Sequence, residues 1–550
     1  MSLPGVTFIR REPGPVVQLG RADVALFVGL VARDSAPLPD RLRGFLADGG
    51  WVPMTLPDGG DGEATRALLG VPVPVESWDE FSALYRWDGR EVEQGSPDTI
   101  PSNLGLAVRS FFAEGGRKAY IVRIGDPLPL VDFSVSETDF LAAKRKLLDG
   151  GKARLGQAGL QRLPLLPGFA QPSNSPDPSE RETWMGAAAI FGIEDVAMLL
   201  LPDLVELCAG RPERLTGDAP PPPPSEDFKP CAPALPAAEP EGRPAMPEWR
   251  APRLASADYA MWSRALGHVL DLLGRPRGPS HRRDVILVGA LPLPLASSGW
   301  DHGEEHNPLL LLSEQSAVIA GQTLFSDDQI GNARLQLAYP WLATDASRGC
   351  PEGIESPEGA FAGLVARQAL AQGAFHSAAG QEPVTVRGTV PTLDMADLRS
   401  STDRSDWLGE RISLFGQRHG KLALLSDSTM ADSRAWRPGG VSRLMNVILR
   451  AARHMGQEQM FEPSGPQMWS RLAGEMERFL ADLAGRGALT SVGGEPPYQV
   501  RCDRSTMTQS DIDAGRAIME IGFTAAYPVV RITVSLNLVE PPRAAAQVAA

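Results

Sequence analysis

Cysteine is scarce in this sequence, and its distribution argues against the sites that cysteine commonly builds. The chain of 550 residues has four cysteines, far apart and without a Cys-x-x-Cys pair: Cys208, Cys231, Cys350 and Cys502. A structural metal site or a disulfide framework needs cysteines at short, regular spacings. The sequence therefore favours free, buried thiols in a reducing compartment.

Long apolar runs and dense basic clusters are also missing. No stretch approaches the ~20 apolar residues that a membrane helix needs. The first residues carry Arg10, Arg11 and Glu12, and they lack the apolar core of a signal peptide. A net charge of -14 without a Lys/Arg run argues against nucleic acid as the main partner. We expect a protein that folds in the cytoplasm, inserts into no membrane and binds no nucleic acid.

The sequence also lacks the common catalytic fingerprints. It has no Gly-x-Ser-x-Gly elbow and no Gly-x-Gly-x-x-Gly dinucleotide motif. The segment from Gly416 to Lys421 has glycines and a lysine, but not the spacing of a phosphate-binding loop. Leu422 follows where that loop needs Ser or Thr, and a strand rather than a helix comes next. We predict a turn there, and we predict no catalytic or cofactor-binding residue.

One segment does fit a metal-site pattern. His302-Gly303-Glu304-Glu305-His306 matches the H-x-x-E-H arrangement of inverted zinc proteases, in which two imidazoles on one helical face hold the metal. A glycine lies inside the segment and an Asn-Pro pair ends it, which favours a solvated loop over a helix. A zinc metallohydrolase using His302, Glu305 and His306 is thus an alternative that zinc analysis would decide.

Glycine and proline are abundant and mark the linkers. The chain has 56 glycines and 50 prolines, with five consecutive prolines at Pro220–Pro224. Such a composition favours extended, solvated backbone. We predict these regions: an N-terminal arm (1–22), the first part of an α/β body (23–209), a Pro-rich linker or surface insertion (210–254), the second part of the body (255–400), a C-terminal domain with a terminal strand arm (401–540) and a disordered tail (541–550).

Helix and strand patterns alternate along the body. Ser77 and Glu80 form a capping-box signal, and residues 102–114 form an amphipathic helix followed by a strand at 119–124. Apolar runs at 24–32 and 195–201 predict buried strands. The second of these, a helix at 257–273 and a strand at 284–289 predict a parallel βαβ unit with the Pro-rich segment in its crossover. The fold class is therefore mixed α/β with several subdomains.

The C-terminal third has its own pattern of elements. A strand is predicted at 421–425, and helices are predicted at 441–455 and 468–483.

Strand-like segments lie near both ends of the sequence. Residues 5–10 precede a Pro/Gly break, and residues 531–539 alternate apolar with polar side chains. An unpaired strand becomes an interface when another chain completes its sheet. The candidate intersubunit residues are Val6, Phe8, Ile9, Ile532, Val534, Leu536 and Leu538. The alternative is that both strands complete a sheet within their own subunit.

Several segments, in the same order, resemble the contractile tail sheath family. Leu104–Arg123 is similar to the family's A-V-x-x-F-F-x-N-G-G-x-x-x-Y-V-V-R segment, with Glu114 where Asn is common. Ser77–Phe81 resembles S-W-x-E-F, and Ser356–Arg367 resembles P-P-S-G-x-V-A-G-V-Y-A-R. Residues 373–376, Gly-Ala-Phe-His, depart from the usual G-V-W-K. The matches span nearly the whole chain.

The resemblance implies a structural role and no cofactor. Sheath subunits assemble with themselves into stacked hexameric rings that form a helical sheath around an inner tube, and baseplate and cap proteins end the particle. Terminal arms pair as strands with neighbouring subunits, and contraction drives the tube into a target. The particle can be a phage tail or a phage-like injection system released from the cell. The departures leave open a non-contracting paralogue at the collar, cap or baseplate.

Overall fold

A computed structural model describes the body of the chain and a lobe that follows it. The described residues are 21–34, 36–51, 68–149, 162–214, 249–274, 282–295, 333–393, 409–431, 433–459, 463–491 and 493–526. Both predicted arm strands, the H-x-x-E-H segment and residues 215–248 of the Pro-rich insertion lie outside these residues.

Strands and helices alternate along the described chain. The strands are β1 Ala25–Leu30, β2 Ala32–Arg33, β3 Val73–Val75, β4 Tyr85–Arg86, β5 Arg90–Glu91, β6 Thr99–Ile100, β7 Ala119–Gly125, β8 Met198–Leu200, β9 Arg253–Leu254, β10 Ile286–Ala290, β11 Leu293–Pro294, β12 Leu335–Tyr339, β13 Trp341–Thr344, β14 Val386–Val390, β15 Ser413–Arg418, β16 Lys421–Leu424, β17 Tyr498–Arg501 and β18 Glu520–Phe523. The α-helices are α1 Asp40–Asp48, α2 Trp78–Leu84, α3 Asn103–Ala113, α4 Glu137–Leu148, α5 Leu204–Cys208, α6 Ser256–Gly274, α7 Glu358–Gln372, α8 Gly439–Glu458, α9 Pro466–Gly485 and α10 Gln509–Asp513.

One large sheet organises the body. Its eight strands lie in the order β16-β15-β12-β10-β8-β1-β7-β3. The six central strands run parallel, and an antiparallel strand, β16 or β3, lies at each edge. The strand order reverses between β1 and β8, as in doubly wound α/β sheets. The prediction of a mixed α/β fold is confirmed.

Both faces of this sheet are buried. In β1, Leu26 and Val28 point into one hydrophobic core, whereas Ala25 and Phe27 point into the other. Helices α4, α5 and α6 contribute to the first core, and α1, α2, α3 and α7 contribute to the second. A strand covered on both faces has a nearly continuous apolar sequence. The predicted buried strand at 24–32 is confirmed for this reason.

The predicted start of α2 and the predicted end of α3 are also found. The Ser77 hydroxyl accepts a hydrogen bond from the Glu80 amide, and α2 begins there. The Glu80 carboxylate accepts from the amide of Glu76 at 2.8 Å, one residue before the expected Ser77. Helix α3 ends before Gly115, whose φ of 114° is a conformation that favours glycine.

The βαβ unit has the predicted topology. Strands β8 and β10 are parallel neighbours, and the chain between them contains α6 and the Pro-rich insertion. The two stems of the insertion meet, because Arg214 and Trp249 form an antiparallel bridge and the amide of Arg250 donates to the backbone carbonyl of Glu213 at 2.9 Å. Trp249 is only 5% exposed in a small core with side chains from β6 and the 130–131 segment.

Removing residues 217–246 and joining the stems with a short Gly/Ser linker should leave the midpoint of thermal unfolding nearly unchanged. The stems stay paired, and a twofold change in loop length alters its closure free energy by only about 0.6 kcal/mol. A longer deletion that also removes Trp249 should destabilise the fold, because losing a buried tryptophan costs about 3–5 kcal/mol. Equal unfolding midpoints for the two deletions would contradict this assignment.

A separate hydrophobic core organises the C-terminal lobe, which we define as the described residues from 439 to 526. It is formed by α8, α9 and the β17–β18 pair, with Trp469, Met476 and Leu480 at its centre. Strands β15 and β16 fall in the range 401–540 predicted as a C-terminal domain, yet their hydrogen bonds extend the body sheet. The turn at His419-Gly420 joins them, in agreement with the predicted turn.

Candidate assembly surfaces

The β17–β18 pair gives the C-terminal lobe an incomplete sheet. Tyr498 pairs with Phe523 and Val500 with Ile521, and all four side chains are half-buried against the lobe core. Among the described residues, neither strand has a second neighbour in its sheet. An isolated two-stranded sheet is marginally stable in water. This sheet therefore has two edges and one partly covered apolar face available for further strands.

The predicted arms continue from the described ends of the chain. The described chain starts at Arg21, beside the C-terminal ends of α7 and α9. It stops at Ala526, directly after Ala525 forms an antiparallel bridge with Leu489 in the C-terminal lobe. The structure does not place Val6, Phe8, Ile9, Ile532, Val534, Leu536 or Leu538, so their role stays a prediction.

A buried ion pair joins the lobe to the body. Arg443 in α8 contacts Asp427 through two hydrogen bonds, of 2.6 and 3.0 Å. Arg443 also donates to the carbonyls of Ala374 and His376, both at 3.0 Å. Burial alone would raise the pKa of Asp427, but the charge and hydrogen bonds of Arg443 outweigh it and lower that pKa.

The carboxylate of Asp427 also accepts hydrogen bonds from the body. It accepts from the side-chain amide of Gln336 in β12 at 2.9 Å and from the backbone amide of Ala378 at 2.8 Å. Arg443 thereby contacts two segments of the body, the 374–376 stretch and Asp427, and Asp427 extends the network to Gln336 in β12. We call this set of contacts the junction.

Side chains fill the crevice where doubly wound sheets commonly bind ligands, at the carboxyl ends of the strands beside the reversal of strand order. The Asp203 carboxylate accepts from the amide of Leu30 at 2.7 Å, and Arg90 donates to Glu206 at 2.8 Å. Asn103 donates to both carboxylates. The remaining space is about 10 Å³, about that of one water molecule. The arrangement is a packed polar core, without room for a nucleotide or a flavin.

The environment shifts the pKa values of the two acids of this cluster in opposite directions. Burial raises the pKa of Asp203 to about 7. Burial also opposes ionisation of Glu206, but the charge and hydrogen bonds of Arg90 outweigh it and lower the pKa of Glu206 to about 2. Glu206 is therefore the ionised partner of Arg90, and Asp203 is the weaker acid.

Two more carboxyl groups are buried at the start of α7, Glu358 as its first residue and Glu355 just before it. Glu355 accepts a hydrogen bond from the Ser110 hydroxyl, and Glu358 accepts from Ser356 at 2.9 Å. Burial raises the pKa of Glu355 to about 8 and that of Glu358 to about 7. Glu355 therefore favours the protonated form in the folded protein at neutral pH, whereas Glu358 is close to half protonated there.

The free energy of unfolding of the Glu355→Gln variant should depend less on pH than that of the wild type. Because the pKa of Glu355 is raised on folding, the folded state holds a proton that the unfolded state releases. The wild type therefore loses stability between about pH 4.5 and 8, by up to about 1.4 kcal/mol per pH unit from this group. Chemical unfolding at pH 5, 6, 7 and 8 should give stabilities that diverge as pH rises, with the variant the more stable.

The exposed Glu495→Gln change is the matched control. Its unfolding midpoints should follow those of the wild type at each pH. If the Glu355→Gln and wild-type curves run parallel from pH 5 to 8, the Glu355 side chain is ionised in the folded protein and the assignment is wrong.

The described part of the chain has no arrangement of three or more His, Cys, Asp or Glu side chains suited to a metal ion. The candidate zinc residues His302, Glu305 and His306 lie outside it. Cys208, Cys350 and Cys502 are free and buried, as predicted. Among the described helices, none is both long and apolar enough to cross a membrane.

Comparison with known proteins gives matches among solved structures only. No protein-family model and no curated protein sequence matches the chain. A chain of the anti-feeding prophage (AFP) baseplate in its contracted state is 16% identical with a TM-score of 0.56, over 98% of this chain and 99% of that one. The AFP helical sheath in its contracted state matches with a TM-score of 0.50 and 16% identity, over 98% of this chain and 99% of that one.

A third solved structure has a similar fold. The sheath complex of the extracellular contractile injection system PVC, also contracted, matches at 16% identity with a TM-score of 0.50, over 98% of each chain. At such identities the likeness concerns the fold. This chain has the fold of contractile tail sheath proteins along its length, and the family resemblance found in the sequence is confirmed at that level.

Proposed function

We propose that this chain is a structural subunit of the contractile sheath of a phage tail or phage-like injection system. It polymerises around an inner tube and contracts to drive that tube into a target. The observation that carries the proposal is the sheath-type fold, which extends over 98% of this chain and of the PVC sheath chain. Because the match includes the C-terminal lobe as well as the α/β body, it is not a likeness between common α/β sheets alone.

The partners follow from this role. Copies of the chain form stacked hexameric rings, the inner tube lies inside them, and baseplate and cap proteins bind at the two ends. The role requires no cofactor and no catalysis, which fits a crevice filled by Arg90, Asp203 and Glu206. Assembly takes place in the cytoplasm, and the finished particle is released from the cell.

The incomplete sheet of the C-terminal lobe supports a linkage by strand addition. Strands β17 and β18 have open edges among the described residues, and the described chain ends in this lobe at Ala526, a few residues before the predicted strand at 531–539. An added strand supplies main-chain hydrogen bonds that depend little on side-chain identity. Such links keep subunits connected while contacts between their bodies rearrange during contraction.

Negative-stain microscopy of the chain co-expressed with its tube protein tests the proposal. We expect tubes of variable length whose wall consists of stacked rings. Treatment that triggers contraction should yield shorter, wider cylinders. Failure to form any ring with the tube protein, from a folded and soluble chain, would overturn the proposal.

A non-contracting, baseplate-proximal role is the second candidate. It is supported by the likeness to chains of the AFP baseplate, whose TM-scores of 0.56 and 0.51 are as high as the 0.50 of the AFP helical sheath chain or higher. The same microscopy separates the two roles. A single ring that does not extend along the tube, even with excess subunit, would indicate the baseplate-proximal paralogue.

A further inference from the structure

A groove runs between the body and the C-terminal lobe, beside the start of the described chain. Its volume is about 680 Å³, within the range of peptide- and ligand-sized clefts. Large apolar side chains from the end of α7 and the turn after it, from α8 and from α9 line it: Leu370, Phe375, Leu444, Val447, Phe479 and Leu483. We call it the interlobe groove.

The floor of the interlobe groove is incompletely covered. Leu370 is 49% exposed, and it is one of few large apolar side chains with such exposure among the described residues. Phe375 and Phe479 are half-buried. Concave sites lined mainly by apolar side chains are common binding sites.

The charges at the rim are already paired with each other. Arg486 and Asp482 form an ion pair of 2.9 Å, and Arg21 contacts Asp23 through hydrogen bonds of 3.0 and 2.8 Å. The groove therefore offers an apolar floor and a neutralised rim. This chemistry fits an uncharged, apolar peptide better than a charged ligand.

The described chain itself enters the body at this groove. Arg21, Ala22 and Asp23 form part of its wall, and the last two side chains are almost fully buried. The burial of Ala22 and Asp23 fixes the position of the backbone there. Whatever precedes Arg21 must begin beside the groove.

The segment before Arg21 has the matching chemistry. Residues 13–20 carry no charge, and Val16, Val17 and Leu19 supply three apolar side chains ahead of Gly20. Four extended residues span roughly 13 Å, so Val16–Leu19 can reach only surfaces close to Arg21. We propose that Val16–Leu19 occupies the interlobe groove of its own chain, in contact with Leu370 and Phe479.

The tether favours the chain's own segment over that of a second copy. A short linker such as Gly20 gives the segment an effective concentration in the millimolar range, far above that of another chain in dilute solution. The proposal does not depend on the sheath role, because the docking takes place in a single chain. It separates the N-terminal arm into an anchor at 16–19 and a distal strand around Val6, Phe8 and Ile9.

Cysteine cross-linking in the full-length protein tests this docking. Val17→Cys and Leu370→Cys are combined in a Cys231→Ser background, because Cys231 lies outside the described residues and the other cysteines are buried. A short bis-maleimide at micromolar protein should link the pair within one chain, about tenfold more than between two single-cysteine chains that are mixed. Peptide mass spectrometry identifies the link.

Hydrogen exchange gives a second measurement that needs no cross-link. Leu370→Asp should lower the protection of amides 16–19 about tenfold, whereas Val384→Asp should leave it unchanged. Val384 is 67% exposed and lies outside the groove, so it is a matched control. Cross-links found mainly between chains would assign the groove to a second copy and overturn the proposal. So would unprotected 16–19 amides together with no cross-link.

Discussion

Protein lacking residues 1–14, or everything from Arg531 onward, should remain folded and soluble but no longer form long sheath polymers. The α/β body and its two cores lie within the described residues, so its thermal unfolding midpoint should stay within a few degrees of the wild type. Polymers should disappear because, in the proposed assembly, each link depends on an arm that completes a neighbour's sheet. Microscopy after co-expression with the tube protein measures the loss.

Two single substitutions in the C-terminal arm sharpen this test. Val534→Pro removes a backbone donor and fixes φ within the predicted strand, so it should abolish long polymers. Thr533→Ser keeps the backbone unchanged and should leave assembly intact. Full-length tubes from Val534→Pro protein would show that this strand is not the link. A Val534→Pro chain that unfolds as a monomer would show that the strand belongs to its own subunit's sheet.

Asp427→Ala should be among the most destabilising single changes in the described chain, at about 3–5 kcal/mol. It removes the carboxylate opposite Arg443 and leaves a buried guanidinium without its charge partner. Because the chain has more than one core, unfolding need not be two-state. We expect the earliest calorimetric transition to move to lower temperature, with the C-terminal lobe separating from the body first.

The exposed ion pair between Asp482 and Arg486 provides the control. Its two atoms are 2.9 Å apart, yet both side chains are more than half exposed. Asp482→Ala should therefore change stability by less than about 1 kcal/mol. The double change Asp427→Leu with Arg443→Met should recover part of the loss, since it removes both buried charges. If Asp427→Ala behaves like Asp482→Ala, the junction does not hold the lobes together.

Elements set by local chemistry could be predicted from the sequence. The hydroxyl of Ser77 starts α2 through a contact three residues away, and Gly115 ends α3 through its own conformational freedom. Because both faces of β1 are buried, its sequence is a continuous apolar run that could be recognised as a strand. The parallel pairing of β8 and β10 followed because a helix of sufficient length separates them.

The junction and the buried acid cluster could not be predicted in this way. Arg90 and Glu206 are 116 residues apart, and Asn103 and Asp203 are 100 residues apart, so only the sheet order brings them together. Arg443 lies in an amphipathic helix, where an arginine is ordinarily expected on the solvent face. Its pairing with Asp427 depends on how α8 crosses the end of the body sheet.

The paired stems of the Pro-rich insertion make it a natural attachment point for a guest domain. Arg214 and Trp249 lie side by side, so a folded domain placed between them needs its termini close together, as those of most domains are. The guest would be joined to the body through the two stems that the Arg214–Trp249 bridge holds together. A fluorescent or affinity module inserted there would decorate each subunit without changing the spacing between β8 and β10.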